Sequence, residues 1–284
     1  MNAAPLPPDI AGRLPSPHGV AFALNKACRS DDVNLHEIAG LVRSDPALSG
    51  RLLAIANSAA IGGRNVISVD DAVARIGVSG VSQVALAFSL IDQYASGACE
   101  NFNYAGFWSQ SLLMASAAKE FGTARKLGVA AELFTLGLLA QIGRLAMATA
   151  FPKEYSDLIV GDFDQADLVL QETRLLGTNH LALSGQLLTG WGIPADMVRP
   201  FCRYELSEPR SEERGPVENY RAQLASSAWH VAAVISHEST DAVFEQAHCM
   251  ASLEWLGLDD ETLRAHLVEI ESTWQLWLSL ISRP

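Results

Sequence analysis

The side chains that most often do chemistry are sparse in this chain and poorly spaced for it. Its seven histidines are His18, His36, His180, His230, His237, His248 and His266, and no two form an H-x-x-x-H pair. Two imidazoles four residues apart would share one helix face and could grip one metal ion. Glu245 and His248 make one E-x-x-H, whereas a di-iron bundle needs two such pairs and further carboxylates. That pair reads as helix surface, and His230 and His237, two turns apart on one face, read as partly buried. The motifs G-x-x-x-x-G-K-[ST], G-x-G-x-x-G and G-x-S-x-G are absent. Neither a phosphate cradle nor a nucleophile elbow has support. Cys28, Cys99, Cys202 and Cys249 are scattered without a C-x-x-C pair, as reduced thiols are.

The elements that must position these groups read as helices throughout. Asn34 with Glu37, Ser68 with Asp71, and Asp164 with Asp167 each set a capping residue three ahead of an acid. Asp45 before Pro46 sets a cap beside a proline at the first helical position. Leu48, Leu52, Leu53, Ile55, Ala56 and Ala59 follow helical spacing, as do Val69, Ala72, Val73 and Ile76. Further helices are expected at about 81–94, 105–121, 128–150, 165–176, 179–190, 195–204, 217–237, 241–256 and 260–281. No run alternates with period two and no Asn-Gly or Asp-Gly turn appears. The expectation is all-α, a bundle of roughly ten or more helices.

Five prolines within the first seventeen residues make residues 1–19 an extended arm or linker. The stretch Glu205–Pro216 is charged and broken by prolines, as a surface loop would be. Leu133 to Ala150 is apolar but interrupted by Gln141 and Arg144, which suits a buried helix better than a membrane span. The opening residues lack the build of a signal peptide, so a cytoplasmic location is expected.

The chain has 284 residues, 49% of them hydrophobic, enough to bury a sizeable core. Its 20 Lys and Arg against 32 Asp and Glu leave a net charge of −12. A surface that must neutralise several phosphates needs a basic face, so nucleic acid is disfavoured as the main partner. The same field discourages docking on anionic lipid.

One stretch carries a family resemblance. The run from Ser44 to Leu90, with Asp45-Pro46, Leu48, Leu52-Leu53, Ala56-Asn57-Ser58, Ile67-Ser68, Ala72-Val73, Ile76-Gly77 and Val84, resembles the signature of the HDOD domain. Phe107-Trp108-Ser109-Gln110-Ser111 is similar to F-W-x-H-S. Leu138 to Leu145 is similar to the L-L-H-D-I-G-K-L of catalytic relatives, the HD-type metal phosphohydrolases. Gly177 to His180 with Trp191-Gly192-Ile193-Pro194 is similar to G-x-D-H followed by W-G-L-P. The likeness runs from about 20 to about 205. It implies an N-terminal helical lobe, about 20–98, packed on an HD-like lobe, about 99–284.

The departures from the catalytic pattern concern the metal. HD-type catalysis holds divalent ions with imidazoles and a bridging aspartate. Against that pattern, Gln110 stands at the first histidine, Ala140 and Gln141 at the His-Asp pair, and Asn179 at an aspartate. Arg203 and Tyr204 stand in a later His-His region, and His180 alone persists. Alanine has no donor, and neutral amides are weak ligands for a doubly charged ion. The resemblance therefore implies a degenerate site with no metal, no cofactor and no catalysis.

The function it implies is a bacterial signalling output module that contacts a protein partner, as in response-regulator systems. Two alternatives stand beside it. One is an anion or nucleotide sensor in which Arg144, His180 and Arg203 converge, unless Glu132, Glu172 or Glu205 pair with them structurally. The other is an HD-type phosphohydrolase. Asn57, Ser58, Arg64 and Asn65, around the Gly62-Gly63 turn, are the candidate partner surface.

Overall fold

A computed structural model of the chain describes residues 14–16, 19–28, 34–57, 64–127, 130–161, 165–202 and 216–281. Every regular element among them is helical, as the periodicity predicts. The chain divides into two compact units. The N-terminal unit comprises residues 16–94 and 276–284, and the C-terminal unit residues 1–15 and 95–275.

In the N-terminal unit, α1 (Gly19–Ala27), α2 (Leu35–Arg43) and α3 (Pro46–Ala56) all pack on α4 (Val69–Gln93). The helix starts work as their sequences suggest. Asp45 Oδ1 accepts the Leu48 N–H at 3.0 Å, with Pro46 in the first turn. Ser68 Oγ accepts the Asp71 N–H and donates to the Asp71 carboxylate at 2.6 Å, so cap and acid hold each other. Asn34 accepts from His36 N–H and not from the residue three on. Asp164 lies outside the described residues. Where the spacing predicts two helices, α4 runs on but is bent by 59°. Gly77 within it sits at φ +80°, ψ 158°, a backbone region essentially reserved for glycine. Leu24, Ile38, Val42, Leu52, Val73 and Leu90 form the unit's buried interior.

The C-terminal unit is built on α5 (Tyr104–Ala124), which packs against α6 (Ala130–Leu139) and α12 (Pro216–His237). Leu113, Phe121, Leu133, Leu224, Val231 and Leu267 belong to one core cluster there. The helix expected over 128–150 is two: α6 ends before Ala140-Gln141 and α7 (Ile142–Ala150) begins after. Just after the break the backbone comes close to a neighbouring helix. A Cβ on Gly143 would lie 1.8 Å from the His180 carbonyl oxygen, and Gly143 N–H donates to Ser184 Oγ at 2.9 Å. The chain breaks helix where its backbone presses on α10 (His180–Gly190).

The remaining elements are α8 (Pro152–Leu158), α9 (Gln165–Leu176), α11 (Ala195–Phe201), α13 (Ala242–Glu245), α14 (Ala247–Leu253) and α15 (Asp260–Ile281). The helix expected over 241–256 is broken at Gln246, whose backbone is extended (φ −96°, ψ 101°), and it closes in a 3-10 turn at Glu254–Leu256. The segment Glu132–Ala150 has the mean hydropathy of a membrane span, 1.4, but 89% of it is buried inside the protein. That is how a core helix pair behaves.

Candidate functional site

The positions that match the catalytic family's ligands fall at the junction of α5, α6, α7 and α10, all within the C-terminal unit. Gln110 lies on α5, one turn before Met114 on the same face, half-buried. Gln141 is buried, with its Nε2 4.0 Å from Met114 Sδ, a weak contact at best. Ala140 belongs to the apolar core cluster beside Met114 and Leu181. Side chains that resemble replaced ligands are here part of a packed interior.

His180 has its own partner. Its side chain and that of Glu172 on α9 are both 0% exposed. Glu172 Oε2 accepts the His180 backbone N–H at 2.9 Å and lies 2.6 Å from the ring Nδ1. One carboxylate oxygen thus serves the first turn of α10 and the imidazole together, which favours the negative charge at the positive helix end. Its other oxygen, Oε1, is buried without a hydrogen-bond partner among the described residues. Asn179, whose sequence position matches a lost aspartate ligand, instead serves its own helix. Its Oδ1 accepts the Ala182 N–H at 2.9 Å and caps α10. Its Nδ2 donates to Thr173 Oγ1 at 2.9 Å, tying the cap back to α9.

Arg144, one turn beyond Ala140, lines a cavity of about 180 Å³ with Phe102, Asn103, Tyr155, Ile159, Gly161 and Leu168. His180 is not part of that lining. Of the expected trio Arg144, His180 and Arg203, the structure describes the first two, and Arg203 and Tyr204 lie outside the described residues. Of the three acids named as structural partners, Glu172 takes His180, while Glu205 is not described.

Of the expected partner surface, the structure describes Asn57, Arg64 and Asn65, while Ser58 and Gly62-Gly63 lie outside the described residues. Asn57 is a clip: its Nδ2 donates to Val66 O at 2.8 Å and its Oδ1 accepts Val66 N–H at 2.7 Å. Arg64 and Asn65 are exposed. Beside them stands Ile67, 90% exposed, which in the sequence is only one residue of the signature. Exposure of a large apolar side chain between two helices has no local sequence signal.

Among the described residues no three His, Cys, Asp or Glu side chains are grouped to hold a metal ion. The thiols are likewise poor ligands or nucleophiles, since burial pushes Cys202 up to about 12 and Cys249 up to about 11, and also raises Cys28 and Cys99.

Comparison with known proteins places this geometry. The chain is 36% identical to the MmoQ response regulator of Methylococcus capsulatus, covering 87% of this chain and 95% of that one, with a TM-score of 0.56. Lower identities show the fold alone. A protein from Shewanella amazonensis named a candidate phosphohydrolase is 22% identical, with a TM-score of 0.72 over 97% of this chain and 98% of that one. An HDOD domain protein of unknown function from Geobacter sulfurreducens is 19% identical, with a TM-score of 0.68 over 96% and 95%. None of the curated proteins matches. The model of the HDOD domain matches residues 14–205, about two thirds of the sequence and the span that holds both the Asp45 helix start and the His180 junction, so this chain belongs to the HDOD domain family.

Proposed function

We propose that this protein is a non-catalytic signalling module that acts by contact with a protein partner. The observation that carries the reading is the state of His180: the one histidine kept in the catalytic pattern is sealed from solvent and bound to Glu172. A metal-bound water needs an accessible ion with open coordination. An imidazole fully buried against a carboxylate supplies neither. Family membership and likeness to a protein named a response regulator support signalling as the output.

The test is metal analysis and phosphodiester hydrolysis on the purified protein. The expected result is no stoichiometric divalent metal, no turnover of cyclic or linear nucleotides, and a melting temperature indifferent to chelator. One tightly held transition metal per chain, with turnover lost on chelation and restored by the ion, would overturn the reading. The Arg144 cavity supplies the competing expectation of an anion sensor. A nucleotide-dependent rise in melting temperature that disappears in Arg144→Ala would favour that sensor instead.

A further inference from the structure

Helix α9 lies within the C-terminal unit, packs on α8 and α10, and is joined to α10 by Gly177, Thr178 and Asn179. Among the described residues it is the one helix that buries no apolar side chain. Leu170 and Leu175 are 64% and 63% exposed. Leu168, Val169 and Leu176 are half-buried, Val169 against the core cluster and Leu168 at the Arg144 cavity. The side chain that α9 does bury is a carboxylate. Glu172 holds the His180 N–H and the ring Nδ1 through one oxygen, and Thr173 Oγ1 accepts from Asn179 Nδ2 at the exposed edge. An isolated helix of this length is marginal in water, so α9 depends on its docking. Regions with few buried apolar contacts open well below the global unfolding free energy. The buried anchor is also incomplete. Glu172 Oε1, and Thr178 Oγ1 in the joining segment, are buried without a hydrogen-bond partner among the described residues, and water satisfies both once α9 moves away. The helices α5 and α12 differ, since their Leu113, Phe121, Leu224 and Val231 are sealed in one apolar cluster.

We propose that α9 is a strap that opens as a unit about its joint with α10 while α5, α6 and α12 stay folded, and that this opening uncovers His180 and Glu172. The closed state hides an imidazole, a carboxylate and the first amide of α10, and the open state offers all three to solvent. A switch needs two states that present different contacts, and the polar latch on α9 separates two such states. The opening holds whether or not the output of the protein is a contact with a partner.

Native-state hydrogen exchange on the full chain, read by mass spectrometry, tests the strap, with diethyl pyrocarbonate as a probe of His180. The amides of residues 165–176 and of His180 are expected to exchange together, at least tenfold faster than those of α5 and α12 and with a weaker dependence on denaturant. His180 is expected to react far more slowly than His36, whose side chain is 82% exposed, and at the pace of α9 opening. Glu172→Gln keeps an acceptor but removes the charge, and is expected to speed exchange in α9 and modification of His180 at least tenfold while α5 and α12 keep their rates. Thr173→Val removes only the exposed latch, so it keeps the test available if Glu172→Gln does not fold, and a smaller acceleration confined to the same residues is expected. Exchange in α9 as slow as in α5 and α12, with the same denaturant dependence, would overturn the proposal. So would variants that speed exchange equally throughout the C-terminal unit, or a His180 that reacts only when the whole chain unfolds.

Discussion

The two units use their polar residues in opposite ways. The N-terminal unit has seven basic and seven acidic residues and is neutral, while the C-terminal unit has 13 basic and 25 acidic and carries the whole −12. Within the N-terminal unit, Ser82 is the one polar side chain buried among the described residues. The C-terminal unit buries His180, Glu172, Gln141, Ser111 and Ser184 at 1% exposure or less. A chain-wide charge therefore misdescribes both. The acidic unit keeps its most chemically capable groups inside, where the cost of burial is offset only by pairing. The neutral unit keeps them outside, in helix caps and the exposed ion pairs Arg43–Asp70 and Arg51–Asp92. A neutral unit exerts little long-range repulsion on a charged molecule of either sign. The acidic unit carries the field that repels anions.

That contrast breaks most readily at Glu172. Glu172→Ala leaves the His180 ring and the first amide of α10 buried without their acceptor. Leaving buried hydrogen-bonding groups unsatisfied costs roughly 1–3 kcal/mol each. The matching change in the neutral unit, Asp92→Asn, loses a pair whose carboxylate is 52% exposed, an effect of about 1 kcal/mol or less at moderate salt. Denaturant melts of the two variants check this directly. Equal losses would mean that burial does not distinguish the units.

Much of the fold is legible in the sequence, and what is not has a common physical character. The caps at Asp45 and Ser68 involve residues three apart, so their pattern is complete in the local sequence. The break at Ala140-Gln141 is invisible there because both residues suit a helix, and the close approach beside it, where a Cβ on Gly143 would meet His180 O, joins positions 37 apart. Asn179 matches an emptied ligand position, whereas in the structure it caps α10. Asparagine is a preferred cap, and the helix start it marks is expected at that very residue. The Glu172–His180 pair spans eight residues and a change of helix, beyond any periodicity argument. The Arg51–Asp92 pair joins residues 41 apart in sequence and forms only when α3 packs on α4.

Asn57 sharpens the comparison from the other side, because its job in the neutral unit is structural. Its amide bonds both backbone groups of Val66, replacing a pair of ladder hydrogen bonds across the turn. Asn57→Ala gives up two such bonds at about 0.5–1.5 kcal/mol each, so a loss of roughly 1–3 kcal/mol is expected. Thermal unfolding measures it. A loss within error would leave the turn without its clip and return Asn57 to the partner surface.

The smallest expected effect on stability is the one that bears most on output. Arg64 and Asn65 directly precede Val66, which Asn57 holds, but are exposed, with Ile67 standing out beside them. Surface substitutions of this kind usually change stability by less than about 0.5 kcal/mol. The double variant Arg64→Ala, Asn65→Ala is therefore expected to keep its melting temperature and circular dichroism. Any loss of partner binding it shows belongs to contact and not to folding, which Asn57→Ala cannot promise. If partner capture falls tenfold at unchanged stability, these exposed residues belong to the contact surface. If capture is unchanged, Arg64 and Asn65 are not part of it, and the contact surface expected at Asn57, Ser58, Arg64 and Asn65 is ruled out at two of its four positions.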